Sequence, residues 1–172
     1  ILKIKLYNFG YLGFLGISVL ITVSYFSSLF IPHSYIFNTV IIMFGIIAFI
    51  LFYRVIPKIH KEFFNHFLIF SFLSIFILVS KNHDDFSYYH FAYTQLITEY
   101  SHPIGMGNLN NGFRHPSSLF FLNSMFYLPK ISFYLFHTGP AFILGFANLF
   151  LLKNILDKDI FKKLSFISLL SL

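Results

Sequence analysis

Residues 63–85 read FFNHFLIFSFLSIFILVSKNHDD. Up to Val79 the run is apolar, broken only by Asn65, His66 and two serines. A bilayer core about 30 Å thick is crossed by a helix of about 20 residues. The run therefore predicts a membrane span over 63–79. It gives way at once to Lys81-Asn82-His83-Asp84-Asp85, which puts two carboxylates at the lip of the membrane. Such a pair is costly to keep there unless it caps a helix, pairs with a cation or takes part in chemistry.

Upstream, two more spans are predicted, at 9–31 and 35–52, joined by the turn Pro32-His33-Ser34. A basic connector with Arg54, Lys58, His60 and Lys61 leads into the run at 63. Downstream lies a polar island, 81–118. An apolar stretch at 119–128 follows, too short to cross and ended by Pro129 and Lys130. A fourth span is predicted over 131–152, with Gly139-Pro140 as a kink or helix break. Asp157, Lys158, Asp159, Lys162 and Lys163 form a second charged connector before an apolar run that starts at Leu164 and is cut short. The first residue is Ile and the last lies inside that run, so the chain reads as the N-terminal part of a longer protein. The segment at 9–31 is too long for a signal-peptide core and lacks a small-residue cleavage site, so it reads as a retained span. The fold expected is all-α: one polytopic transmembrane bundle over 1–172, with juxtamembrane amphipathic helices in a loop at 81–130.

Composition supports this class. Apolar residues make up 57% and charged residues 10%, against roughly 25% charged in soluble domains. With no Cys, disulfides and cysteine-based zinc or redox sites are excluded. The net charge of +6 would suit nucleic acid in a soluble protein. Here the positive residues sit at the ends of apolar runs, so membrane orientation explains them and no nucleic-acid partner is expected. With the N-terminus inside, Lys3, Lys5, both connectors and Lys153 fall inside, and only Lys81, Arg114 and Lys130 fall outside. This arrangement needs 118–152 to cross once, which predicts 119–128 as a helix lying on the surface. The island is then extracytoplasmic, as on the outer face of a bacterial inner membrane.

Within the island, 84–100 has helical spacing, with Phe86, Tyr89, Tyr93, Leu96, Ile97 and Tyr100 on one stripe. A Tyr-rich amphipathic helix suits the headgroup layer, and an ordinary packed helix over the bundle has the same pattern. Asn82 is placed to cap this helix with Asp85 three residues on, so the acids have a structural reading. The second reading is functional: capping needs one acid, and Asp84 and Asp85 stand with His83 and His90, seven residues apart on nearly one face. Gly105, Gly107 and Gly112 with Asn108, Asn110 and Asn111 make a loop, either a cover for a substrate or a solvated connector. Gly105-Met106-Gly107 is no dinucleotide fingerprint, since no strand precedes it. Pro116 suits the first turn of the next helix. Arg114 and His115 would then precede a helix N-terminus, a natural anion site. Arg114 alternatively contacts a headgroup or pairs with Asp84, Asp85 or Glu99. His-based zinc spacing is absent, which leaves a divalent cation (Mg or Mn) on Asp84 and Asp85, or no cofactor. Ser24 and Ser28 form a small-xxx-small pair that could mark a helix contact. His33, His60, His66 and His137 read as interface or helix-contact residues.

The run His83-Asp84-Asp85-Phe86-Ser87-Tyr88-Tyr89-His90, followed by Gly112-Phe113-Arg114-His115-Pro116-Ser117-Ser118-Leu119-Phe120, resembles uncharacterised bacterial membrane proteins related to the GT-C glycosyltransferases. In that class an acidic residue or pair follows a membrane helix on the extracytoplasmic side, and juxtamembrane helices precede the next span. The resemblance covers about 71–152. This chain departs from the simplest pattern in having two spans before the one that leads into the acidic loop. The resemblance implies sugar transfer from a polyprenyl-phosphate carrier, with membrane lipid and the lipid-phosphate-linked sugar as partners. Asp84 or Asp85 would be the general base or hold a cation, and His83, His90, Glu99, His102, Arg114 and His115 would contact substrate, with Arg114 and His102 or His115 facing the carrier phosphate. The rival readings are a transporter or flippase for a lipid-linked glycan, and a non-enzymatic membrane subunit of a cell-envelope glycan pathway.

Overall fold

The computed structural model describes residues 8–52, 59–79 and 84–155. His83, Arg54, Lys58 and the run from Leu164 lie outside them. Among the described residues the fold is all-helical: α1 (Phe9–Ser28), α2 (Tyr35–Phe52), α3 (Ile59–Val79), α4 (Phe91–Glu99), α5 (Ser118–Ser124) and α6 (Thr138–Ile155).

Local chemistry sets the ends. Asn8 caps α1, its side chain accepting from the Tyr11 N–H at 3.3 Å. The helix stops at Ser28, where Phe30 and Ile31 both donate to the Ser27 carbonyl and Pro32 blocks continuation. α2 keeps the predicted bounds. α6 begins seven residues later than predicted. The Leu128 carbonyl accepts from Ile131 and Ser132 in a tight turn, and Lys130 and Ser132 sit at left-handed φ of 66° and 51°. A single 3₁₀ turn, Phe133–Leu135, then leads to Thr138. Gly139-Pro140 is therefore no kink but the first turn of a helix, where a proline forfeits no intrahelical bond. Asn123 completes that turn, its Oδ1 accepting from the Gly139 N–H at 2.8 Å.

α6 packs between α1 and α3. Gly10 faces the backbone of Phe146 and Phe150, and Gly13 faces the Phe146 ring, so α1 and α6 run antiparallel in close contact. Gly145 lies against Phe70 and Leu73 of α3. Two segments, Phe9–Ser28 and Phe133–Asn154, are long and apolar enough to cross a membrane, with only 11% and 28% of their windows buried. α2 is more bare still, exposing Ile36, Val40, Phe44, Ile47, Ile50 and Leu51.

α5 departs from its predicted place on the surface. It is walled in by α1, α4 and α6, with Leu122 1% and Ser124 0% exposed. A run of Phe and Leu with small neutral polar residues has no charged face to keep in water, so burial all round suits it. Tyr93 and Ile97 of α4 join Phe113, Phe120 and Phe121 in one core. Of the predicted stripe, Tyr93 and Ile97 are buried, while Tyr100 points to solvent and Thr98, assigned to the wet face, is buried. α4 is thus a packed helix over the bundle.

A buried polar seam ties this cap to α1 and α2. The Phe121 carbonyl accepts from both the Ser24 and Ser124 hydroxyls, at 2.6 and 2.7 Å. With its proton so placed, Ser124 accepts from His33 Nδ1 at 2.7 Å. A neutral His33 then offers Nε2 as an acceptor to the Ser27 hydroxyl at 2.8 Å. Asn38 Nδ2 lies within 2.8–3.0 Å of the His33, Ser124 and Tyr127 carbonyls. Ser24 and Ser28 are fully buried, which makes the small-residue pair a helix contact.

Candidate functional site

α4 is entered through a π-helical turn, Phe86–His90, closed by the Phe91 N–H on the Phe86 carbonyl. Such turns insert an extra residue into a helix and often mark functional sites. Asp84 and Asp85 stand just before it. Asp84 is exposed; its backbone carbonyl accepts from the Ser87 hydroxyl at 3.3 Å. Asp85 is half-buried and engaged with a neighbour. The Asp85 side chain makes no capping bond to the π turn, and the predicted cap Asn82 lies outside the described residues. His90 is half-buried, its ring 5.0 Å from Phe120 and 4.3 Å from Tyr89.

The π turn packs against a 3₁₀ turn, Asn111–Arg114, so the segment that follows the acids touches the turn bearing the arginine. Gly112 permits this approach, since a Cβ there would meet Tyr89 at 2.8 Å. Asn110 shapes the turn by accepting from the Gly112 N–H at 2.8 Å. Arg114 is exposed and borders a hollow of about 360 Å³ together with Tyr93, Met106, Asn108, Phe113 and Pro116. Gly107 brings the opposite wall close, with its Cβ direction 3.0 Å from Arg114 Cγ. Asp84 and Asp85 stand outside this lining.

The remaining sequence-predicted residues are spread over the cap. Glu99, exposed at the end of α4, accepts from Gln95 Nε2 at 2.7 Å. His102 is exposed at a left-handed φ of 59°, its N–H bonded to the Ser28 carbonyl at 2.8 Å. That tether holds its strained backbone in place. His115 is exposed beside Arg114. Pro116 lies before the following helix rather than in its first turn. Ser117 caps α5, its hydroxyl accepting from the Leu119 N–H at 3.2 Å, and the helix has seven residues. Among the described residues no group of three or more His, Asp or Glu stands ready for a metal.

Sequence reasoning placed His33 among contact residues without seeing its two ring partners. Ser27 is six positions away, but no local signal marks Ser124, 91 positions on. Burial pushes His33 down to about 4, opposed by the Ser24 backbone, so the ring is neutral at physiological pH. Burial also raises the Tyr93 phenol, with the Tyr25 charge adding to it. Tyr93 at the edge of the Arg114 hollow is therefore a neutral hydroxyl.

Among the described residues the molecule so defined is all-helical, with two apolar helical segments long enough to cross a membrane and a polar, aromatic cap. The chain belongs to the family described as a domain of unknown function (DUF8201), which matches residues 1–172. No curated protein and no solved structure matches it.

Proposed function

We propose that this chain is the membrane-embedded part of a glycosyltransferase that moves a sugar from a lipid-phosphate carrier to an extracytoplasmic acceptor. The observation that carries the reading is the contact between the π turn following Asp84-Asp85 and the turn presenting Arg114 beside a hollow. It rests as well on the resemblance to the GT-C class. The exposed apolar faces of α1 and α2 support several spans, and the distribution of Lys and Arg along the sequence supports an N-terminus inside and a cap outside.

In this reading the acceptor oxygen attacks the anomeric carbon and passes its proton to Asp84 or Asp85. The bond to the carrier phosphate breaks, and the phosphate leaves with the electron pair. Arg114 neutralises the charge that grows there. A divalent ion on the aspartates would do similar work.

The test is Asp84→Asn and Asp85→Asn in the full-length protein, assayed for sugar transfer in membranes at matched protein level. Loss of a general base lowers the rate by about 10²–10⁴-fold. Unchanged transfer in both variants overturns the reading. The non-enzymatic subunit is favoured by one observation: Asp84 is exposed and the Arg114 hollow is lined without it. A partner that co-purifies equally well after loss of both aspartates would support that alternative.

A further inference from the structure

The loop between α4 and α5 has two faces. Inward, Pro103, Gly105, Met106 and Asn108 wall the Arg114 hollow. Outward, Ile104 and Leu109 are 75% and 76% exposed. Large aliphatic side chains this bare on a tethered loop call for a partner. The tether fixes where they stand. His102 donates its N–H to the carbonyl of Ser28, the last residue of α1, and its ring lies edge-on to Phe30. α1 has 20 residues, hence a length of about 30 Å, which matches the hydrocarbon core of a bilayer. A helix that spans the core ends at its boundary, and so does the loop pinned to that end. Ile104 lies two residues from the pin, within about 7 Å along the chain.

The surroundings continue the same surface. Phe30, Ile31 and Ile36 at the α1–α2 turn are exposed, extending the bare apolar faces of both helices up to the loop. Tyr35 and Tyr100 are also exposed there, the residue type that settles at headgroup level. Gly105, at a left-handed φ of 83°, reverses the chain after Ile104 so that it projects as a tip.

We propose that the outer face of residues 102–109 inserts into the lipid leaflet on the cap's side, with Ile104 and Leu109 among the acyl chains. The loop is then a wall between lipid and the Arg114 hollow, and an amphiphile held there keeps its polar head against Arg114 and its tail in the leaflet. The inference rests on the bilayer reading of α1 and α2, not on sugar transfer.

The chain has no Cys, so single cysteines placed in it report cleanly once any cysteine in the rest of the full-length protein is replaced by Ser. Ile104→Cys, Phe44→Cys on α2 and Asn108→Cys on the hollow side are each labelled with an environment-sensitive fluorophore in the full-length protein, reconstituted in phosphatidylcholine vesicles. Nitroxide on the lipid acyl chains should quench the probe at 104 as it does at 44, and aqueous iodide should quench the probe at 108 several-fold more than either. A probe at 104 that behaves like 108 while 44 stays in lipid overturns the insertion alone. Iodide quenching at both 44 and 104 overturns the bilayer reading with it.

Discussion

His33 joins the α1–α2 turn to both α1 and α5 through one imidazole. Its ring is fully buried and neutral, with a folded value near 4 against 6.5 in the unfolded chain. Because the folded value is the lower one, the unfolded state binds the proton first as pH falls. Stability is therefore complete above about pH 6.5, declines below it and levels off under about 4. Full linkage over that window amounts to about 3 kcal/mol. Thermal unfolding of the protein in detergent between pH 7.5 and 4.5 should show this decline, and His33→Gln should flatten it while lowering stability at neutral pH by about 1–3 kcal/mol. A wild-type curve with no slope over this range would mean the ring is not held as described. Asn38 beside it is one-sided: Nδ2 faces three carbonyls while the buried Oδ1 has no partner. An unpartnered buried carbonyl of this kind offsets part of what the three bonds from Nδ2 contribute.

The α1–α6 contact depends on two glycines. At Gly10 a Cβ would collide with the backbone of Phe146 and Phe150, atoms that cannot rotate away. Gly16, six residues on in the same helix, has nothing within 4 Å. Gly10→Leu should lower stability by about 1–3 kcal/mol through overpacking, and Gly16→Leu should leave the melting midpoint in detergent nearly unchanged. Equal effects would argue against this helix pairing. Of the elements themselves, the sequence shows α2 to the residue, because Pro32 and the onset of the apolar run coincide. It misplaces the start of α6, since residues 131–137 are apolar by composition while left-handed Lys130 and Ser132 break the helix. The burial of α5 is hidden for a different reason. Its partners come from afar, as in the bond from Ser24 to Phe121 across 97 positions. In the site, nearness of the π turn to Arg114 follows from packing around Gly112, whereas Glu99, His102 and Arg114, grouped by charge in the sequence, have separate partners or neighbours in space.

On the scale of the whole molecule, bare apolar helices and a tightly bonded cap divide the labour. α2 leaves most of its side chains uncovered and α1 many of them, while the cap packs Tyr93, Phe113, Phe120 and Phe121 internally. Membranes carrying the full-length protein, washed with alkaline carbonate, should retain it in the pellet; release into the supernatant would contradict a bilayer-spanning body. The π turn joins the acidic pair to this body. A turn closed i→i+5 holds one residue more than an ordinary helical turn, so removing one residue from 86–90 would restore the regular repeat and leave Asp84 and Asp85 on nearly the heading they have, with Tyr93 and Ile97 still anchored. The π turn is thus a spare residue stored within the helix, and a single-codon deletion should close it without turning the acids away.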